Sequence, residues 1–282
     1  KRILKPSDDP VGSSIALNLR QQINSAEQYV KNANAANTAL STEETSLDNA
    51  SDILGRVRDL LVQAGNGALT IEDRKTIAIE MQGRLEELVA VGNTQTPDGK
   101  YLFSGFRTDA MPFSKDAAGN YVYNGDQGDL MLQVNSSVRV KAADNGSDLF
   151  MAVSTGNGTF ETRQDPLNNG TGIIGPASMS DSGAFVSDTY TVDVFVDGGG
   201  VTRYSVTGAM SGQVVPALPA NIATDSPEFV PGTDLEFNGI KLSIAGIPVD
   251  GDSFTVEPAR KQSIFQTVAD AIQTLQMSDA TD

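Results

Sequence analysis

The 282-residue chain contains no cysteine, no histidine and no tryptophan. The first absence excludes disulfides, thiolate nucleophiles and Cys/His zinc sets. The second removes His-based triads. Proline is missing from Val11 to Thr96, so nothing in that stretch forbids continuous helix. No run of 18 apolar residues occurs, and no segment is therefore long enough to cross a bilayer as a helix. Basic residues are scarce in one region: residues 149–257 hold 3 against 13 acidic, a net of −10 in a chain of net −16. Residues 1–97, with 10 basic and 13 acidic, carry a net of only −3. An acidic, lysine-poor surface disfavours nucleic acid and anionic membrane, because neutralising phosphates needs clustered Lys and Arg.

What the proline-free stretch does contain is a seven-residue ladder: Leu19, Ala26, Ala33, Leu40, Leu47, Leu54 and Leu61. Such a repeat keeps one side of a long helix apolar for turn after turn. A helix of about 55 residues would be ~80 Å long, more than a small globular domain needs. The second stripe drifts, from Ala16, Ile23 and Val30 to Ala36, Ala50, Val57 and Ala64, as expected of a straight helix set against a strict heptad. The ladder is expected to form the core of a bundle, with Leu47 and Leu54 buried. The alternative is two ordinary helices breaking near Asn37 or Ser41.

Boundaries are legible on either side. Asp8 and Asp9 suit a helix start and Pro10 its first turn, while Gly65-Asn66-Gly67 ends it. Thr70 caps a second helix with Glu72 and Asp73 in its first turn and a stripe of Ala78, Met81, Leu85 and Leu88. The composition changes after Pro97, beyond which 21 of the 27 glycines lie. Lys100–Gly105, Tyr121–Tyr123, Leu130–Val134 and Val138–Val140 read as short strands. Further hairpins are expected at Tyr190–Val196 with Val201–Val206, and at Leu235–Phe237 with Ile240–Ile244 across Asn238-Gly239. After Pro258 the helical pattern returns in Ile264, Val268, Ile272 and Leu275. The fold class is α+β multidomain, with residues 1–149 and 257–282 forming a discontinuous helical domain and residues 150–256 an inserted, sandwich-like β domain.

The candidate chemical motifs are weak. Asn124–Asp129 and Asp250-Gly251-Asp252 lack the spacing and the late glutamate of a calcium loop and read as solvated turns. Gly198-Gly199-Gly200 precedes a strand, which disfavours a phosphate cradle. No enzyme, cofactor or metal reading survives.

Lys5-Pro6-Ser7-Asp8-Asp9-Pro10 and the run Arg56–Gly67 resemble the first core helix of bacterial flagellins and their hook-associated relatives. Gly99–Gly105, Tyr123–Gly128 and Gly146–Phe150 are similar to the hook-associated protein 3 family rather than to flagellin itself; Gly251–Val256 with Gln262–Phe265 recurs in hook-associated members carrying a β insert. The resemblance implies an elongated flagellin-like helical bundle with a small β-hairpin region, and a structural adaptor joining the flagellar hook to the filament. It implies hook-associated protein 1 and flagellin as neighbours, a ring of like subunits at full length, a flagellar export chaperone, and an extracellular location reached without a cleaved signal peptide. Both terminal polymerisation segments of the family are expected to lie outside this sequence, which begins at Lys1. Arg56, Arg58, Asp59 and Gln63, in the flagellin-like stretch, are the candidate subunit contacts. The alternatives are a surface adhesin binding glycan through the β insert, and flagellin.

Overall fold

The computed structural model describes residues 10–276. Helices α1 (Pro10–Ala64) and α2 (Ile71–Gly92) come first, then β1 (Phe113–Lys115), β2 (Tyr121–Tyr123), β3 (Met131–Gln133) and β4 (Arg139–Lys141). One π-helical turn, Ser147–Met151, leads to β5 (Val153–Ser154), β6 (Phe160–Gln164), β7 (Ile173–Ile174), β8 (Ser178–Met179), β9 (Tyr190–Val196), β10 (Thr202–Gly208) and β11 (Gly212–Val215). A short helix α3 (Ile222–Asp225) is followed by β12 (Asp234–Phe237), β13 (Ile240–Ala245), β14 (Ser253–Pro258), β15 (Lys261–Gln262) and α4 (Ile264–Gln276). The chain divides into two compact units, residues 1–153 with 263–282, and residues 154–262.

In the first unit α1 runs unbroken for 55 residues, with no interruption at Asn37 or Ser41. It begins at Pro10, whose fixed φ and missing N–H suit a first turn; the expected caps Asp8 and Asp9 lie outside the described residues. It ends where the Gly65 amide bonds Leu61 O and the chain turns through Asn66 and Gly67. Thr70 opens α2 with a reciprocal cap: its hydroxyl accepts from the Asp73 amide, and the Asp73 carboxylate accepts from the Thr70 amide. Ala78, Met81, Leu85 and Leu88 are all buried, as their spacing predicts. At the other end Asn93 makes paired bonds with Phe113, donating to its carbonyl (3.0 Å) and accepting from its amide (2.9 Å). Gly92 is required there, because a Cβ would come within 2.8 Å of the Phe113 ring. Helix α4 packs along α2 and inserts Phe265, Val268 and Ile272. Phe265 meets Phe113, Phe150 and Tyr121 at centroid separations of 4.9, 5.6 and 5.5 Å, which closes the core.

Two expectations need correcting. The buried line on α1 is Ala36, Glu43, Ala50, Val57 and Ala64, with Ser46 and Leu60, three residues on from the leucine ladder. Leu47 and Leu54 are only half-buried on its flank, while Leu19, Leu40 and Leu61 are exposed. Three residues turn a helix by about 300°, so the seam stands about 60° from the ladder. Ala50, Val57, Leu60 and Ala64 belong to the core of the helical unit, and Leu47 and Leu54 pack against its edge. Residues 100–105 are not a strand either: Tyr101 makes one bridge to Gln95, and tight turns follow. Gly105 adopts φ +66° with its Cβ position against Asp126, so the chain curls and draws Phe103 wholly inside.

The second unit is antiparallel. A five-stranded sheet in the order β11-β10-β9-β14-β6 packs on a sheet of β12-β13-β7, in which β8 also pairs with β13. Period-two alternation points Tyr190, Val192, Val194, Phe254 and Val256 from one sheet, and Leu235, Phe237, Ile240, Leu242 and Ile244 from the other, into one core. Asn238 and Gly239 turn the β12–β13 hairpin with φ values of 42° and 74°, the left-handed pair such a two-residue turn demands. The α+β class and the sandwich-like insert are therefore as the sequence patterns indicate.

Candidate assembly surface

Among the described residues α1 is 55 residues long, α2 has 22 and α4 has 13. The buried residues of α1 begin only at Ala36. Before that point Val11, Ile15, Leu19, Ile23 and Val30 are each more than half exposed. With Ala26 and Ala33 they fall within an arc of about 120°, a continuous apolar stripe on one side of the helix. Residues 10–33 carry only Arg20, Glu27 and Lys31 as charges. A contiguous exposed apolar stripe on a folded chain marks a surface built to be covered. It was missed as a site because heptad periodicity reports that a side is apolar and not what lies over it.

Arg56, Arg58, Asp59 and Gln63 stand on the last turns of α1, ~50 Å along the axis from the middle of the stripe. Arg56 reaches across to Glu80 of α2, with Nη2 and Oε1 2.6 Å apart. Arg58 lies 3.6 Å from Asp59 with both side chains largely exposed, and Gln63 is exposed. Arg56 faces α2 while Arg58, two residues on, stands about 200° round the helix, so the four do not form one patch and none lies at the stripe.

A second apolar surface lies in the same unit, where loop 96–108 and the β3–β4 hairpin approach the middle of α1. Ala35 and Ala39 line one side of a groove of about 620 Å³, and Tyr101, Leu102, Phe106 and Leu132 line the other. The hairpin is pinned to the helix by Asn32, which donates to the Gln133 carbonyl at 2.7 Å. Glu43, buried in the α1 seam, accepts from the Asp144 amide at 3.0 Å. Burial raises its pKa above the ordinary value of 4.5, the Asp144 amide working against that rise. Lys141 lies 2.7 Å from both Asp129 and Asp144 and closes the network on the solvent side. The Tyr123 hydroxyl is 2.9 Å from Phe103 O and 2.8 Å from Asp126 O, and burial, aided by the Asp126 charge, pushes its pKa up to about 12.

Carboxylates elsewhere are occupied by backbone. Asp126 accepts from the Phe106 and Gly128 amides, which hold its pKa low. Asp252 accepts from the amides of Asn169 (2.8 Å) and Val249 (2.9 Å), and Asp250 from that of Val196 (2.8 Å). Asp126, Asp250 and Asp252, in the two turns compared with calcium loops, thus accept from backbone amides within the turns and elsewhere in the chain. Among the described residues no group of three or more His, Cys, Asp or Glu is placed to hold a metal, and no helix is long and apolar enough to cross a membrane.

A long helix with an exposed apolar half, packed at its other half against a returning helix, presents a surface suited to packing against further helices. The bacterial flagellin N-terminal helical region matches residues 1–108. The flagellar hook-associated protein 3 of Salmonella typhimurium is 30% identical over 155 residues, 55% of this chain and 48% of the relative, so the chain spans about half the length of the curated relatives it matches. Coverage is fuller among solved structures. The flagellar junction protein of Legionella pneumophila superposes with a TM-score of 0.87 at 37% identity, over 95% of this chain and 86% of that one. A structure of flagellar hook-associated protein 3 from the same organism gives 0.88 at 37%, over 93% and 79%. The chain belongs to the flagellar hook-associated protein 3 family.

Proposed function

We propose that, within its full-length protein, this chain is a structural adaptor that joins the flagellar hook to the filament by side-by-side packing of helical cores, without a catalytic role. The observation that carries the reading is the uncovered apolar stripe from Val11 to Val30 on a helix whose other half is buried. Such a stripe is a surface that packing against further helices would bury. Hook-associated protein 1 on the hook side and flagellin on the filament side are the neighbours, with like subunits completing a ring; an export chaperone would shield the protein before it leaves the cell, to act outside it as part of the flagellum. The acidic β unit, net −10 over residues 149–257, suits a solvated outer position.

Cells lacking the full-length protein are expected to build hooks and to export flagellin without retaining a filament. Normal filaments on that strain would remove the junction role. Arg58, Asp59 and Gln63 remain candidates for a polar subunit contact, whereas Arg56 already has Glu80. Arg58→Glu in the full-length protein should weaken filament attachment and leave the melting temperature nearly unchanged, since exposed ion pairs contribute little to folding. Unaltered attachment would take Arg58 out of the interface.

A further inference from the structure

We propose that Asn66-Gly67, in the turn between α1 and α2, is a self-modification site at which the asparagine closes to a cyclic imide and reopens as aspartate and isoaspartate, with water as co-reactant. Six Asn-Gly pairs occur in the chain, beginning at Asn66, Asn124, Asn145, Asn157, Asn169 and Asn238. Glycine leaves the following backbone nitrogen unshielded by a Cβ in all six. The fold therefore decides which of them reacts. The step needs a glycine amide free to attack, a carboxamide not tied to a distant partner, and open space for the ring.

Asn66-Gly67 meets all three conditions. Both residues are exposed, and a Cβ built at Gly67 would meet no atom within 4 Å. Among the described residues the Gly67 amide donates no hydrogen bond within the chain. The one bond to the Asn66 side chain comes from the Ala68 amide to Oδ1 at 3.1 Å. It keeps the carboxamide folded over the backbone that follows and puts a donor on the oxygen that gains charge. The other five pairs are restrained. Asn145 is buried and bonded to Asp148 through both ends of its carboxamide, and the Gly146 amide donates to Phe103 O. The Gly158 amide donates to Thr155 O, and Asn157 accepts from Thr159 and Phe160 while donating to Ala177 O. Asn124 donates to Ser114 Oγ at 2.8 Å, with Gly125 pressed on Tyr123 and Ser104. Asn238 donates to the Tyr190 hydroxyl at 3.0 Å, and Gly239 lies against Asp181 and Phe185. Asn169 is exposed, but the Gly170 amide donates to the Asp252 carboxylate at 3.1 Å, whose charge opposes loss of the amide proton.

In the reaction the Gly67 nitrogen, its proton lost to solvent, bonds to Asn66 Cγ. The Cγ–Nδ2 bond breaks and the nitrogen leaves as ammonia, taking up a proton from solvent. Water then opens the imide at either carbonyl, giving aspartate or, with the chain rerouted through the side chain, isoaspartate. One water is consumed, one ammonia is released and nothing is oxidised. Both products place a carboxylate just past the C-terminal end of α1, where the helix dipole disfavours negative charge. The Asn66 amide bonds Gln63 O at 3.1 Å, so the change falls on the helix end that carries Arg58, Asp59 and Gln63.

The test follows every Asn-Gly pair by peptide mapping while the chain stands at mildly alkaline pH, folded or in guanidinium chloride, with protein isoaspartyl methyltransferase as the probe for isoaspartate. In the folded chain Asn66 should convert at least about tenfold faster than any of the other five, since misplacing reacting atoms costs that much or more. In guanidinium chloride the six rates should converge. Gly67→Ala, which the open space accommodates, should slow conversion at Asn66 and leave the helical circular dichroism signal in place. A faster site elsewhere, or equal rates at all six in the folded chain, would overturn the proposal. So would Asn66 leading by the same margin in denaturant, which would put the cause in local sequence and not in the fold. Aspartate without isoaspartate at position 66, or a Gly67→Ala chain converting as fast as its parent, would mean direct hydrolysis and would equally overturn it.

Discussion

From Ala36 onward α1 keeps its apolar side under the rest of the helical unit, whereas from Val11 to Val30 the same helix holds Val, Ile and Leu out to solvent. The halves belong to one hydrogen-bonded rod and differ in what lies against them. The second half is stabilised by tertiary packing, which supplies most helical stability in proteins. The first half needs no nucleus of its own, because it extends a helix already nucleated, and each added residue contributes a hydrogen bond. That is how a long apolar stripe stays helical without a partner: the covered half holds the shape that the uncovered half presents.

The difference is sharpest in truncations along α1. Leu60→Ala removes a side chain that is 1% exposed and should cost about 2–5 kcal/mol, read as a fall in the urea midpoint at unchanged slope. Leu47→Ala, on the half-buried ladder, should cost roughly 1 kcal/mol. Equal losses at the two positions would mean that the ladder, and not the alanine seam, is the packing line. At the start of α2, Thr70→Ala deletes the reciprocal cap with Asp73 and should also cost about 1 kcal/mol. No change there would show that packing alone holds that helix end.

Glu43 tests the covered half through pH. Its carboxyl sits in the seam, and burial raises its folded pKa above 4.5. A raised pKa means that the folded state binds the proton more tightly than the unfolded one. Its contribution is therefore fully present below the unfolded value and is lost as pH rises through the folded value. Glu43→Gln removes this titration, so parent and variant should be closest in stability at acid pH, with the variant gaining relative to the parent toward neutrality. A difference between the two that does not change with pH would mean that Glu43 is solvated and the seam open at that point.

Much of this was legible because it is local. Pro10, Gly65 and Thr70 bound their helices by backbone chemistry, and Ala78, Met81, Leu85 and Leu88 announce a face by spacing alone. Asn238-Gly239 names its own turn. What escaped depends on distant partners. Heptad spacing cannot say which of two neighbouring stripes lies in the seam, and here Ala50 and Val57 are buried while Leu47 and Leu54 are half-buried. Tyr101–Gly105 alternates like a strand, yet Asp126, twenty-one residues beyond Gly105, shapes it into turns. Of the assembly surface the sequence shows the apolar character plainly; its exposure is seen only in the fold, where the buried residues of α1 begin at Ala36.

The smallest effect on folding belongs to the uncovered half. Leu19 is 53% exposed and lies outside the helical unit's core, so Leu19→Asp should change the unfolding free energy by no more than about 0.5 kcal/mol. The aspartate has no buried surroundings to lose, and the helix it joins is held from beyond Ala36. In a ring or filament the same change would bury an unpaired carboxylate among apolar side chains, which is strongly unfavourable. This chain carrying Leu19→Asp should therefore melt like its parent, and the full-length variant should fail to complement a deletion strain for filament retention. Melting and complementation separate cleanly here because the residue contributes to one state and not to the other. A marked drop in melting temperature would place Leu19 in a core within the chain, and full complementation would mean that the stripe is not covered in the assembled flagellum.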